Sequence, residues 1–129
     1  MKLKRLLPLL LLPFLFASCD SEQQSTNTYR QITMQEAIEF MEREVGYIIL
    51  DVRRPDEFAS GHIPNAINVP NEIIGTSEIS ELPDKDQLIL VYCRSGRRSK
   101  EASQKLVELG YTNVVEFGGI LDWSGETVT

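Results

Sequence analysis

The chain has 129 residues, 42% of them hydrophobic and 25% charged, with a formal net charge of −6 and two cysteines. A domain of about 100 to 150 residues hides roughly two thirds of its unfolded surface, so one core forms without disulfide staples. The acidic balance argues against nucleic acid as a partner, because neutralising phosphates takes a surplus of Lys and Arg on one face. The cysteines leave three options open: a disulfide, a pair of metal ligands or two unrelated sites.

Lys2, Lys4 and Arg5 precede an apolar run of 11 residues, Leu6 to Phe16, interrupted only by Pro8 and Pro13. A membrane-spanning helix needs about 20 apolar residues and the core of a secretory signal only about 7 to 15, so the run predicts export. It ends in Leu15-Phe16-Ala17-Ser18-Cys19. That ending resembles a bacterial lipoprotein signal, which implies removal of residues 1–18 and a lipid on Cys19. The competing arrangement is ordinary signal-peptidase cleavage after Cys19, which releases a soluble secreted domain. Asp20 resembles an inner-membrane retention signal of some Gram-negative bacteria. Loss of residues 1–18 takes three basic residues and no acidic one, leaving 10 basic against 19 acidic residues and a net charge of −9. Residues 19–28 are then the lipidated cysteine and a tether, because Ser21 to Thr28 contain no apolar side chain that could pack. The globular domain is expected over residues 29–129.

Thr33 followed by Glu36 is a capping-box signature, and Met34, Ala37, Ile38 and Met41 recur at helical spacing. Tyr47 to Leu50 is a short apolar run that predicts a strand buried on both faces, with Asp51 at its carboxyl end. Pro55 suits a first helical position, and the turn from Asp56 to Ser60 is stopped by Gly61. A weak strand is expected over Ala66 to Val69, and partial helix over Asn71 to Glu81 with Gly75 weakening it. Leu88 to Tyr92 is the strongest strand in the chain. A helix follows from Arg97 to Leu109, with Ala102, Leu106 and Leu109 on one face and Gly110 at its end. The last elements are a strand over Asn113 to Phe117 and a helical turn over Ile120 to Trp123. Apolar strands separated by helices predict a single α/β domain, a small parallel sheet covered on both faces.

Open parallel sheets bind ligands outside the carboxyl ends of their strands. Here that place is Cys93-Arg94-Ser95-Gly96-Arg97-Arg98-Ser99. If the chain curls around the cysteine, its amide N–H groups converge on the sulfur and the following helix adds its positive end. Four of the seven residues from Arg94 to Lys100 are basic, against the acidic trend of the whole, which points to an anionic ligand. Cations at a helix start oppose the dipole unless an anion offsets them. Amides, helix end and arginines all favour the thiolate, so Cys93 is the expected nucleophile.

Four stretches then resemble the rhodanese (thiosulfate sulfurtransferase) family in order along the chain. The loop from Cys93 to Ser99 is similar to the family's Cys-Arg-Ser-Gly-x-Arg-Ser. Asp51-Val52-Arg53 with Glu57-Phe58 resembles Asp-Val-Arg-x-x-x-Glu-Phe, and Gly61 to Pro70 resembles Gly-His-Ile-x-Gly-Ala-x-Asn-Val-Pro. Gly118-Gly119 and Trp123 resemble the closing Gly-Gly-x-x-x-Trp. Asn65 stands where the family has Gly, and Asn is the next best residue at a left-handed position.

The resemblance implies a rhodanese-like fold and a sulfurtransferase. Cys93 would take sulfane sulfur from thiosulfate, polysulfide or a low-molecular-weight persulfide and pass it to a thiol, cyanide or another acceptor. It implies that the outer sulfur rests among the amides of Arg94, Ser95, Gly96, Arg97 and Arg98, with Arg94 and Arg97 steering the donor and Arg98 bracing the loop. Asp51 and Arg53 are implied beside the loop, paired with its polar groups, and Ser99 supports it. No cofactor is implied, and a single histidine without a Cys-x-x-Cys offers no multi-histidine metal site. That histidine, His62, is expected to be structural rather than a base.

Two alternatives differ from this reading in class. Dual-specificity phosphatases and arsenate reductases have Cys-x5-Arg; five intervening residues after Cys93 lead to Ser99, whereas four lead to Arg98. The six-residue loop argues against that chemistry. The other alternative is a persulfide carrier or redox-sensing interaction module without efficient turnover, which uses the same atoms. Disulfide chemistry is disfavoured, because a lipidated Cys19 leaves no resolving thiol.

Overall fold

The computed structural model describes residues 28–75 and 77–129; residues 1–27, on which the expected signal segment, Cys19 and most of the expected tether fall, lie outside the described residues. Its elements run β1 (Arg30–Gln31), α1 (Met34–Arg43), β2 (Tyr47–Asp51), α2 (Pro55–Ala59), β3 (Ile67–Asn68), β4 (Leu88–Cys93), α3 (Arg97–Glu108) and β5 (Val114–Gly119). The sheet has the order β1-β5-β4-β2-β3, and every pairing is parallel.

Helix α1 starts where the capping box predicts: the Glu36 N–H donates to Thr33 Oγ1 at 3.0 Å and the Thr33 N–H to Glu36 Oε1 at 2.8 Å. Helix α3 ends at Glu108, with Leu109 as its C-cap and Gly110 following at φ 101°. Asn65 does adopt the left-handed conformation, with φ 73°. Two expectations need correction. The stretch Asn71 to Glu81 yields only one 3-10 turn, Asn71–Ile73. Gly75, two residues past that turn, is left-handed at φ 104°, a conformation that stops a helix, and Ile74 and Ile79, the stretch's buried apolar residues, stand five positions apart. Strand β1 was not anticipated: two exposed residues carry no periodicity, and pairing with β5 makes them a strand.

Alternation along β4 divides the core. Ile89, Val91 and Cys93 face α3 together with Leu50, Val52, Ala102 and Leu106. Leu90 and Tyr92 face the other way, against Ala37 of α1 and Phe58 of α2. Each fully buried aliphatic side chain contributes about 1.5 to 3 kcal/mol relative to exposure, so both faces specify the register. A slip of one residue would turn Cys93 away from α3. The chain leaves β2 toward α2 on one face and β4 toward α3 on the other. Adjacent strands whose connections diverge form the crevice where such sheets bind ligands, and Cys93 is the last residue of β4.

Candidate active site

Cys93 is buried, with 1% exposure. After it the chain turns through Arg94 and Ser95 to Gly96, whose φ of 114° only glycine takes without strain. That turn aims the Gly96 N–H at Cys93 Sγ, 3.0 Å away. Gly96 is also the residue from which α3 starts, so the sulfur lies at the positive end of a 12-residue helix. Of the loop amides, the Gly96 N–H is the one that closes on the sulfur among the described residues. The thiol donates to Ser99 Oγ at 3.4 Å.

The four basic side chains of this segment have different partners. Arg98 donates to Glu57 of α2 at 2.7 and 3.2 Å, with both side chains 15% exposed. This pair ties the end of the loop to α2. Arg97 is exposed and bridges to Glu101 one turn along at 2.9 Å. Lys100 reaches the Gly96 carbonyl at 3.3 Å. Arg94 is exposed with no side-chain partner among the described residues, so its guanidinium is available to an incoming anion.

Arg98 and its hydrogen bonds hold Glu57 well below the usual carboxylate range, at about 2. A depressed carboxylate contributes stability that is present above its ordinary value of 4.5 and is lost as pH falls toward 2. Acid titration of unfolding free energy should show this limb in the wild type. Glu57→Gln should flatten it; an unchanged acid limb in that variant would mean that the pair does not hold the loop.

Asp51 and Arg53 do not meet the loop, contrary to what the resemblance implied. Asp51 is in register with Tyr92, not Cys93, and so lies on the opposite face of the sheet from the sulfur. Its carboxylate accepts the Arg53 N–H at 2.9 Å and the guanidinium at 2.7 to 3.0 Å. Arg53 also donates to the Gly61 carbonyl at 2.7 Å, and Asn68 bridges the carbonyls of Asp51 and Arg53 at 2.9 Å. Burial and Asp51 hold the Tyr92 phenol protonated well above its ordinary value. This cluster fixes the turn that carries His62. His62 stacks on Phe58 at 3.7 Å, and its Nδ1 lies 2.9 Å from the Phe58 carbonyl. Its backbone pairs with Val128, so His62 is structural, as expected.

Of the site's residues, one is not singled out by the sequence and a second enters there only within the closing Gly-Gly motif. Glu116, 2% exposed in β5, lies beneath Ser99 on the α3 face. Its signal was a lone charge in an apolar strand, at the parity of Val114. Gly119 carries the second. A Cβ there would stand 2.1 Å from the Arg94 carbonyl oxygen, so the loop rests directly on the β5 backbone.

A parallel sheet with one buried cysteine at the carboxyl end of its central strand, wrapped by a six-residue loop and capped by a helix, defines an α/β domain built around a sulfur nucleophile. Comparison with known proteins narrows the class. The chain belongs to the rhodanese-like domain family, whose model matches residues 33–126. It is 38% identical over 73 residues to the thiosulfate sulfurtransferase PspE of Escherichia coli, covering 57% of this chain and 70% of that protein. It is 35% identical over 102 residues to the thiosulfate sulfurtransferase GlpE of Coxiella burnetii, covering 78% and 92%. Among solved structures, an E. coli rhodanese with anions superimposes with a TM-score of 0.59 at 35% identity, covering 64% of this chain and 98% of that one. The rhodanese-like domain of Anabaena Alr3790 gives 0.69 at 27% identity, covering 78% and 80%. With its cysteine loop intact, the chain is a sulfurtransferase of the rhodanese type.

Proposed function

We propose that Cys93 carries sulfane sulfur as a persulfide, taken from thiosulfate, polysulfide or a small persulfide and given to a thiol or cyanide. The observation that carries this is the Gly96 N–H directed at Sγ at 3.0 Å, inside a six-residue loop at the start of α3. The thiolate electron pair attacks the outer sulfur of thiosulfate, forming the Sγ–S bond; the donor's S–S bond breaks and its pair leaves on sulfite. The negative charge now sits on the outer sulfur, among the loop amides and near Arg94. An acceptor attacks that sulfur, the Sγ–S bond breaks, and the thiolate is restored. The site asks nothing of a base once the thiolate exists, which agrees with His62 being engaged elsewhere.

Incubation of the purified protein with thiosulfate should add about 32 Da to its intact mass, the added sulfur leaving again on treatment with cyanide. Cys93→Ala should gain no mass and lose turnover by at least about a thousandfold. No mass gain in the wild type, or turnover of an aryl phosphate through Cys93, would overturn the reading. Loading without steady-state turnover of small acceptors would favour the carrier alternative.

We propose further that the domain of residues 29–129 works outside the cytoplasm, held at a bacterial membrane by a lipid on Cys19 and a short tether. The basic start, apolar run and Ala17-Ser18-Cys19 ending support this. Intact mass of protein taken from its native membrane should begin at a diacylglyceryl-modified Cys19; an unmodified chain beginning at Asp20 would sink the anchor and leave a secreted domain.

A further inference from the structure

The sulfur-transfer steps leave Glu116 unused, although it is one of the few charged side chains in the core. Its Oε2 accepts the Ser99 hydroxyl at 2.5 Å and the Gly118 N–H at 3.0 Å. Its Oε1 faces Gln31 Nε2 of β1 at 3.3 Å and Lys100 Nζ of α3 at 3.8 Å. Every one of these groups is a donor, the set that an ionised carboxylate accepts.

Ser99 joins this carboxylate to the reactive sulfur. A hydroxyl has one proton to give and lone pairs with which to accept. At 2.5 Å from Glu116 Oε2, against 3.0 Å from the Gly96 carbonyl, the Ser99 proton goes to Glu116. The oxygen then turns a lone pair toward Cys93, where it accepts the thiol at 3.4 Å. This chain suits a thiol. It opposes a thiolate twice over: Ser99 has no proton left for the sulfur, and the carboxylate adds like charge in a buried site.

The Gly96 N–H at 3.0 Å, the start of α3 and the surrounding cations offset this in part. Lys100 is half exposed, Arg98 is engaged by Glu57, and Arg97 is exposed and engaged by Glu101. Asp51, Arg53 and His62 lie across the sheet or on the far turn.

We propose that Glu116, acting through Ser99, is a positioning residue that penalises charge on the empty Cys93 sulfur and so drives the site toward its sulfur-loaded form. The persulfide part of this rests on the function proposed above. Loading moves the negative charge from Sγ to the outer sulfur, one S–S bond of about 2 Å further out. The penalty therefore falls on the empty thiolate more than on the persulfide. Above the alkylation midpoint, where the empty site is the thiolate, the Sγ–S bond formed replaces the S–S bond broken, the pair leaves on sulfite, and no proton enters the balance; below it, the thiol proton leaves with the sulfite. Raising the energy of the reactant thiolate shifts this exchange toward the loaded enzyme.

Two measurements on the full chain test this. The first is the pH dependence of Cys93 alkylation by iodoacetamide, which needs no persulfide. Glu116→Gln keeps the shape and removes the charge, and its alkylation midpoint should fall by about one pH unit. Ser99→Ala should also lower the midpoint, because it removes the lone pair turned to the sulfur. If Ser99 instead gives its proton to the sulfur, the same variant raises the midpoint, and that sign overturns the proposal even if Glu116→Gln fails to fold. A Glu116→Gln profile that overlays the wild type, whatever its thermal stability, also overturns it.

The second measurement is the loaded fraction, by intact mass, at fixed thiosulfate to sulfite ratios. Above both alkylation midpoints the exchange constant should fall severalfold in Glu116→Gln, with about tenfold, the counterpart of one pH unit on the thiolate alone, as the ceiling. A shifted alkylation midpoint with no loading in either protein would leave the control of ionisation standing and refute the persulfide. Loading unchanged in a variant whose midpoint has shifted would refute the bias.

Discussion

Gly119→Ala should lose at least about a hundredfold in sulfur transfer and in the rate of persulfide loading, while the protein still folds. A Cβ at this position would lie 2.1 Å from the Arg94 carbonyl oxygen, 2.5 Å from its carbon and 2.6 Å from Ser95 Cα. All three atoms are backbone, so no rotamer change relieves the clash and the loop must move off β5. The Leu121 N–H that donates to the Arg94 carbonyl at 3.2 Å is strained by the same movement. Overpacking of this kind costs about 1 to 3 kcal/mol, which a folded domain tolerates. The chemistry is less tolerant. The Gly96 N–H reaches the sulfur only if the turn stays seated, and a misplacement of about 1 Å costs on the order of a hundredfold.

Gly46→Ala is the control for that result. Gly46, between α1 and β2, has φ 81° and nothing within 4 Å of a Cβ, so alanine there brings local backbone strain far from the loop. Its activity should stay within a few-fold of wild type at temperatures where it is folded. If both variants lose activity alike, or if Gly119→Ala keeps it, close seating of the loop on β5 is not what aims the Gly96 amide.

How much of this site the sequence reveals depends on whether a residue's role is local. The capping box of Thr33 and Glu36, the left-handed Asn65 and the turn at Gly96 are each decided within a few residues, and each is legible. The apolar run of β4 predicts a central strand because burial on both faces removes alternation from the sequence. Contacts made across the sheet are harder to read. Arg98 and Glu57 are 41 positions apart, and Ser99 and Glu116 are 17 apart. No spacing rule joins them. Strand parity carries part of the missing information: Asp51 pairs in register with Tyr92, and neighbours along β4 point to opposite faces, so Asp51 cannot share a face with Cys93. The register itself comes only from the three-dimensional pairing. Strand β1 and the short 3-10 turn at Asn71 fall to the same limit, since neither has a pattern long enough to outweigh its tertiary surroundings.

Asp51→Ala should destabilise the domain by about 3 to 5 kcal/mol, the usual cost of removing one partner from a buried ion pair. Asp51 is fully buried and Arg53 is 5% exposed. Without the carboxylate, the guanidinium keeps only the Gly61 carbonyl as an acceptor among the described residues and cannot reach bulk water. A domain of about 100 residues has roughly 5 to 15 kcal/mol in total and loses about 4 to 8 °C of melting temperature per kcal/mol, so the melt should fall by well over 10 °C. Because the pair lies on the face of the sheet away from the sulfur, persulfide loading in the cold should stay close to wild type. The double variant Asp51→Leu with Arg53→Met should recover part of the loss, because replacing both charges with apolar groups leaves no unpaired ion. Loss of loading without loss of stability would instead assign Asp51 to the sulfur site. A single variant that melts with the wild type would show that the pair adds nothing to the fold. The expected pattern, low stability with intact chemistry, separates the Asp-Val-Arg segment from the cysteine loop, although a resemblance to one family brings the two together.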